Sequence, residues 1–152
     1  MAIVPGPGAT VTFIRQQRGP YAGEVLLPGG KTEFGEGLAE AAAREAQEES
    51  GCVVERLELV GIYEIRSPSG GYHWVTSVFL AEEAAVPDGF EGHHVSAVFQ
   101  ADPAEVRPHP TVMRMLVDAG VAAYSTDEID AMLTAADITM TSHLTRVVVP
   151  TR

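Results

Sequence analysis

The sequence predicts an α/β protein, α+β by some schemes, with a mixed β-sheet in a single domain of residues 1–152. Three observations predict it. β-rich runs flank one long stretch of helix formers, Leu38 to Ser50. Helical spacing returns only from Thr111 onward. No repeat, low-complexity tract or linker interrupts the 152 residues, a length that suits one domain. Strands, then a helix, then strands, then helices is the order of a layered fold in which helices cover a sheet.

Ala9 to Ile14 is β-rich and partly alternating, which predicts a strand. Arg15 to Gly23 is polar and contains Gly-Pro, so it reads as a loop. Val25-Leu26-Leu27 is a short apolar strand stopped by Pro28-Gly29-Gly30, and Pro5-Gly6-Pro7-Gly8 before it reads as a flexible or extended start. Leu38 to Ser50 is rich in Ala, Glu, Gln and Arg, good helix formers, and Gly51 suits the C-cap. β-rich segments follow at Cys52–Val54 and Leu57–Ile65. Ser67 to Gly71 reads as a hairpin turn, and Tyr72 to Leu80 as a strand with Trp74, Thr76, Val78 and Leu80 on one face. Ala84 to Gly92 is a loop, and Val95 to Phe99 a further strand. Thr111 to Ala119 has helical spacing and ends at Gly120; Ser125 and Glu128 offer a capping box for a short helix after them. Val147-Val148-Val149 is read as a last strand.

The charge balance narrows the function. Ten positive side chains against 21 negative give a net charge of −11, which argues against binding to duplex nucleic acid through phosphate contacts. Cys52 is the single cysteine, so neither an internal disulfide nor a cysteine-built zinc site is available. No run approaches the roughly 18 apolar residues of a membrane span. The start, Met1 to Gly6, lacks the basic segment of a signal peptide. A cytoplasmic protein without membrane association is the expectation.

The chemistry concentrates between Gly30 and Cys52. Six carboxylates lie there (Glu33, Glu36, Glu40, Glu45, Glu48 and Glu49) against Lys31 and Arg44. In a helix, Glu45, Glu48 and Glu49 stand at i, i+3 and i+4, on one face. Like charges so placed repel, and these sit late in the helix, where the dipole also disfavours negative charge. A compensating cation is called for, and an all-oxygen set suits Mg2+ or Mn2+ rather than zinc. Arg44 can reach Glu40 or Glu48 at helical spacing. Leu38, Ala42 and Ala46 form a small apolar face for close packing on a sheet. A solvated acidic helix face is the alternative reading of these three carboxylates.

The same residues carry a resemblance. Gly30, Glu36, Arg44, Glu45, Glu48, Glu49 and Gly51 fill every fixed position of the Nudix box, G-x5-E-x7-R-E-U-x-E-E-x-G-U, where U is a bulky aliphatic. At roughly 7 % per residue, seven such matches arise by chance on the order of 10⁻⁸ per starting point. Ala46 and Cys52 are smaller than the usual occupants of the two aliphatic positions. The resemblance covers residues 30–52, and the flanking order of strands and helices agrees with it.

The resemblance implies an α/β/α sandwich around a mixed sheet. It also implies metal-dependent hydrolysis, with Mg2+ or Mn2+, of the pyrophosphate bond in a nucleoside diphosphate linked to another moiety. Glu45, Glu48 and Glu49 resemble the metal ligands, joined by the carbonyl of Gly30. Glu45 instead, or also, orients or deprotonates the attacking water. Arg44 is similar to the residue that braces the carboxylates, and Glu36 to the one that positions loop and helix. A further ligand or base from a later loop is expected in some members; Glu91 is the first choice here, ahead of Glu82 and Glu83. The adjacent His93 and His94 read as a loop feature. The alternatives are a nucleoside triphosphate pyrophosphohydrolase and a non-catalytic nucleotide-binding or regulatory module on the same fold. Family members include monomers and dimers, and the leaning here is to a homodimer.

Substrate-binding residues are not assigned by the sequence. Pro68, sixteen residues past Cys52, sits where ADP-ribose-hydrolysing members often have a proline, and it also belongs to a turn. Tyr21, Phe34, Tyr63, Tyr72, Trp74 and Tyr124 are candidates for a base-stacking wall or for the core. Arg15, Arg18 and Arg66 are candidates for phosphate contacts or are exposed side chains without a role. Gly30-Lys31-Thr32 is not a P-loop, because Val25 stands where its first glycine is required. Residues 124–152 match no motif; a cap over the site and a dimer contact are both open.

Overall fold

The computed structural model describes residues 1–145. Eight strands and three helices follow one another as β1 (Ala2–Ile3), β2 (Pro5–Gly6), β3 (Thr10–Gln16), β4 (Val25–Leu26), α1 (Leu38–Ser50), β5 (Leu57–Ser67), β6 (Tyr72–Ala81), β7 (Val95–Ala101), α2 (Pro110–Asp118), α3 (Thr126–Ala135) and β8 (Thr139–Leu144). The β-structure is mixed and falls into two four-stranded sheets. In the first, order β1-β6-β5-β8, β1 lies parallel to β6 while β5 is antiparallel to both β6 and β8. In the second, β2 and β4 take successive stretches of one edge of β3, and β7 runs antiparallel along the other. Residues 1–6 link the sheets, since β1 belongs to the first and β2 to the second.

Helices cover both sides. α1 buries Ala42 and Ala46 against Ala2, Val4, Cys52, Val54, Phe79 and Ala81. A larger core gathers Phe13, Leu27, Tyr63 and Val78 with Val112, Met113, Met115 and Leu116 of α2 and Ile129 and Leu133 of α3. The small residues Ala46 and Cys52 are both fully buried where α1 meets the strands, so their size suits a helix that lies close to the sheet. Leu38 departs from the expected packing face: it is 52 % exposed, while Ala41, Ala42, Ala46 and Ser50 are buried. α1 starts after Gly37, whose N–H donates to the Glu40 carboxylate at 2.7 Å. It ends at Gly51, whose φ of 73° is the left-handed conformation of a C-cap.

The structure settles one open reading and corrects three others. Of the flexible or extended start read at Pro5-Gly6-Pro7-Gly8, Pro5–Gly6 is extended, as β2, and Ala2, Ile3 and Val4 before it are fully buried. Cys52–Val54 is not a strand: Glu82 accepts from the N–H groups of Glu55 and Arg56, so a carboxylate takes the place of a ladder partner just after it. The capping box of α3 is half formed, with Ser125 accepting from the Glu128 N–H while the Glu128 carboxylate pairs with Arg107. β8 went unread because its residues, Thr-Met-Thr-Ser-His-Leu, are polar and mostly exposed on a sheet edge. The strand read at Val147–Val149 lies outside the described residues. Among the described residues no helix is long and apolar enough to cross a membrane.

His109 caps α2 and reports on folding. Its Nδ1 accepts from the Thr111 N–H, its ring lies 4.3 Å from that of Tyr21, and burial pushes its pKa down from 6.5 to about 4. Between those values the unfolded chain takes up a proton that the folded chain refuses. Stability therefore falls as pH drops from 6.5 through 4, by up to about 3 kcal/mol. His109→Asn keeps a capping acceptor without the titration. Urea midpoints from pH 7 to 4.5 are expected to fall less steeply in the variant; parallel profiles would refute the assignment.

Candidate active site

The Pro28–Gly30 turn and α1 build an acidic cleft. Arg44 is its centre. Its Nε and Nη2 donate to the two Glu36 oxygens at 2.8 and 3.0 Å. Its Nη1 donates to Glu45 Oε1 at 3.0 Å and Glu48 Oε2 at 3.2 Å. Nη2 also reaches the Lys31 carbonyl at 3.0 Å. One guanidinium thus ties the loop carboxylate of Glu36, two helix carboxylates and the Gly30–Lys31 backbone together. Arg44 lowers the Glu36 pKa, and the Glu33 N–H that donates to Glu36 acts in the same direction.

Glu49 is the buried member. Its Oε2 accepts from the Gly29 N–H at 2.9 Å, and it is 7 % exposed. Burial, reinforced by Glu45 and Glu48, pushes its pKa up to about 7 against the pull of the Gly29 N–H. Gly30 sits against Glu45: a Cβ there would lie 2.2 Å from Glu45 Oε1. The structure therefore brings together Gly30, Glu36, Arg44, Glu45, Glu48 and Glu49, as expected. Among the described residues no three His, Cys, Asp or Glu side chains form a ready-made metal cage; Glu45 and Glu48 are drawn onto Arg44. The donor set still fits a divalent cation. It is all oxygen, it includes a buried carboxylate whose charge is costly alone, and it has a glycine close enough to present backbone to the same space.

A cavity of about 380 Å³ lies over this face, lined by Lys31, Thr32, Glu33, Arg44, Glu45, Glu48, Glu49, His93 and His94. His93 and His94 are thus at the cleft, with the His93 N–H donating to the Glu48 carbonyl at 3.0 Å. Glu91 is exposed and outside this lining. Glu82 is engaged with the Glu55 and Arg56 backbone, and neither it nor Glu83 lines the cleft.

A second cavity, about 660 Å³, shares Lys31 and Thr32 with the first. Its walls include Arg18 and Tyr21 of the loop after β3, His73 to Ser77 of β6, Leu38 and Ala41 of α1, and Met115 of α2. Of the candidate aromatics, Tyr21 and Trp74 line it, and Tyr72 stacks on Trp74 at 4.4 Å. Tyr63 is buried in the core and donates to Asp118, Tyr124 donates to the Pro103 and Val106 carbonyls, and Phe34 stands fully exposed. Arg15 donates to the Gly23 carbonyl, Arg66 is exposed, and neither lines either of these two cavities. Pro68 lies in the β5–β6 turn, where its carbonyl accepts from Gly71, away from both cavities. Lys31 at the junction was missed as a site residue; its signal was a position directly after Gly30.

Comparison with known proteins bears on the family and the fold. The sequence model of one family, described as the NUDIX domain, matches residues 1–119. A curated "ADP-ribose pyrophosphatase" of Methanocaldococcus jannaschii is 35 % identical over 74 residues, 47 % of this chain; the match spans 43 % of that protein, less than half its length. Among solved structures, a MutT NUDIX hydrolase from Burkholderia pseudomallei superposes with a TM-score of 0.67 at 27 % identity, covering 77 % of this chain and 92 % of that one. The NUDIX domain of Shewanella oneidensis NrtR, solved with ADP ribose, shares the fold with a TM-score of 0.58 at 19 % identity, covering 88 % and 82 %.

Proposed function

The chain belongs to the Nudix family, and on that premise we propose that it is a pyrophosphohydrolase. It uses Mg2+ or Mn2+ to split a nucleoside diphosphate linked to another moiety, with ADP-ribose as the first substrate to test. The observation that carries this reading is the Arg44-centred carboxylate face opening into a cavity that continues, past Lys31, into a larger one lined by Trp74 and Tyr21. The 35 % identity to an ADP-ribose pyrophosphatase supports the choice of substrate.

Glu45, Glu48, Glu49 and the Gly30 carbonyl are the groups that would hold the cation. When bound, it supplies charge neutralisation on the pyrophosphate oxygens and a more acidic water. The protein's own residues do the rest. Arg44 fixes the directions of Glu45 and Glu48, so little reorganisation accompanies the reaction. Lys31, at the junction of the cavities, meets phosphate charge. Glu45 Oε2, the oxygen Arg44 leaves free, takes the proton of the attacking water. The new P–O bond forms as the bridging P–O bond breaks, and ADP-ribose yields AMP and ribose 5-phosphate.

The test is chromatography of ADP-ribose incubated with the protein and Mg2+ or Mn2+. AMP and ribose 5-phosphate in equal amounts are expected, and none with chelator. Activity confined to nucleoside triphosphates would replace ADP-ribose as the substrate. Silence toward both, and toward nucleotide sugars and dinucleoside polyphosphates, in protein whose melting temperature rises with Mg2+, would point to the non-catalytic binding module.

Gly30→Ala separates site from fold. The added Cβ meets the far end of the Glu45 side chain, which can swing aside, so the melting temperature is expected to stay within about 2 °C. The carboxylate is then misplaced by an ångström or more, and kcat/KM is expected to fall by about 10². A variant with wild-type activity would show that the placing of Glu45 against Gly30 is not needed for turnover.

A further inference from the structure

One wall of the larger cavity is a strand edge. β1 pairs with β6 only at Phe79 and Leu80. Among the described residues no strand takes up residues 72–77 of β6 on that side. The Ser77 carbonyl accepts from Met1 N at 2.9 Å, so Ser77 turns its backbone groups away from β5. Backbone direction alternates along a strand, and the β5–β6 register runs unbroken from Ser77 to Tyr72. Val75 and His73 therefore turn their N–H and C=O groups the same way, and both residues line the cavity. The His73 carbonyl and the Val75 N–H are neighbours on this edge, an acceptor beside a donor. Trp74 lies between them in sequence. It stacks on Tyr72, meets Tyr21 edge-on at 5.2 Å, and keeps 38 % of its surface exposed at the cavity. Tyr21 is held by a hydroxyl contact of 2.9 Å to Tyr72, so the aromatic group is braced from two elements.

We propose that this wall is the nucleobase subsite: Trp74 is the stacking surface, and the His73 carbonyl with the Val75 N–H reads the base edge. The proposal rests on the reading of the chain as a hydrolase of nucleoside diphosphate derivatives and deepens it. Adenine presents an amino donor beside a ring-nitrogen acceptor, the complement of that backbone pair. A base held here leaves its phosphates at the turn that the two cavities share, beside Lys31 and within reach of the carboxylate face. The backbone pair supplies direction and the indole supplies area, the usual division in a small-molecule site.

Trp74 is the only tryptophan in the chain, so intrinsic fluorescence reads the subsite without turnover. The metal-free protein is titrated with AMP and, in parallel, with ribose 5-phosphate. Saturable quenching by AMP and none by ribose 5-phosphate is expected. Base–aromatic stacking is worth roughly 1–3 kcal/mol, so Trp74→Leu is expected to raise KM for ADP-ribose about ten- to hundredfold, with a far smaller change in kcat. Val75→Pro removes an N–H that the β5 ladder does not use, and it is expected to weaken AMP quenching in folded protein. Quenching by AMP without hydrolysis would sustain the subsite and sink the hydrolase reading. Hydrolysis of ADP-ribose with no quenching by AMP, or an unchanged KM in Trp74→Leu, would overturn the subsite.

Discussion

Glu48→Gln and Glu49→Gln are each expected to lower kcat on the substrate by roughly 10³ or more, about 4 kcal/mol of transition-state stabilisation, in protein that stays folded. The two positions predict different companions to that loss. Glu48 is the open carboxylate of the face, its side chain 46 % exposed and tied to Arg44 at 3.2 Å. Its replacement removes a charge but no buried structure. Glu49 is buried, and its carboxylate accepts from Gly29. A glutamine oxygen can accept the same bond, so the turn is kept. The pKa of Glu49 is raised from 4.5 to about 7, so its ionised form is disfavoured in the folded state. The stability tied to this group is present below pH 4.5 and is lost as pH rises through 7. Glutamine does not ionise, so the metal-free Glu49→Gln protein is expected to be at least as stable at pH 8 as the parent. With Mg2+ the order reverses: the parent gains melting temperature by mass action, and the variant gains much less. Calorimetry with and without Mg2+, beside the kinetics, checks both statements. Equal stabilisation of parent and variant by Mg2+ would remove Glu49 from the ligand set.

The contrast between these residues and the subsite of Trp74 shows what a sequence can disclose. The carboxylate face was legible because its parts are close in the chain. One helix and the turn before it hold Gly30, Glu36, Arg44, Glu45, Glu48 and Glu49, and helical spacing alone puts three carboxylates on one side. The bounds of α1 were legible for the same reason: good helix formers run unbroken from Leu38 to a glycine suited to a left-handed C-cap. The larger cavity is assembled from Arg18, Tyr21, Trp74 and Met115, which lie on separate elements and meet only through tertiary structure. No local pattern joins Tyr21 to Tyr72. β1 and β8 escaped notice on similar grounds. β1 has two residues, β8 is polar, and each is a strand because β6 or β5 pairs with it. Glu91 was the natural choice as a carboxylate in the loop before β7; it is exposed outside the cleft lining, which His93 and His94 join, with the His93 N–H on the carbonyl of Glu48.

Arg44→Ala is expected to lower kcat/KM by about 10² or more while Arg44→Lys recovers little of it, because the role depends on a planar fork rather than on charge alone. The guanidinium donates to Glu36, Glu45, Glu48 and the Lys31 carbonyl, and a lysine ammonium cannot span these partners at once. Alanine leaves Glu36 and Glu45 without a cation in positions that are only partly solvated, their side chains 15 and 14 % exposed. Mutual repulsion then moves Glu45 away from Gly30 and loosens the turn from the helix. The partly exposed ion pairs limit the stability cost to a fall of a few degrees in melting temperature. Salt separates the two roles of the arginine. Screening relieves the repulsion among the carboxylates, so the stability gap between Arg44→Ala and the parent is expected to narrow at 1 M NaCl. The activity gap is expected to persist, since screening does not restore the aim of Glu45 and Glu48. Thermal melts and kinetics at two salt concentrations test this directly. If salt restored activity together with stability, Arg44 would be acting as a counter-charge alone, and its placement at the centre of the mechanism would be wrong.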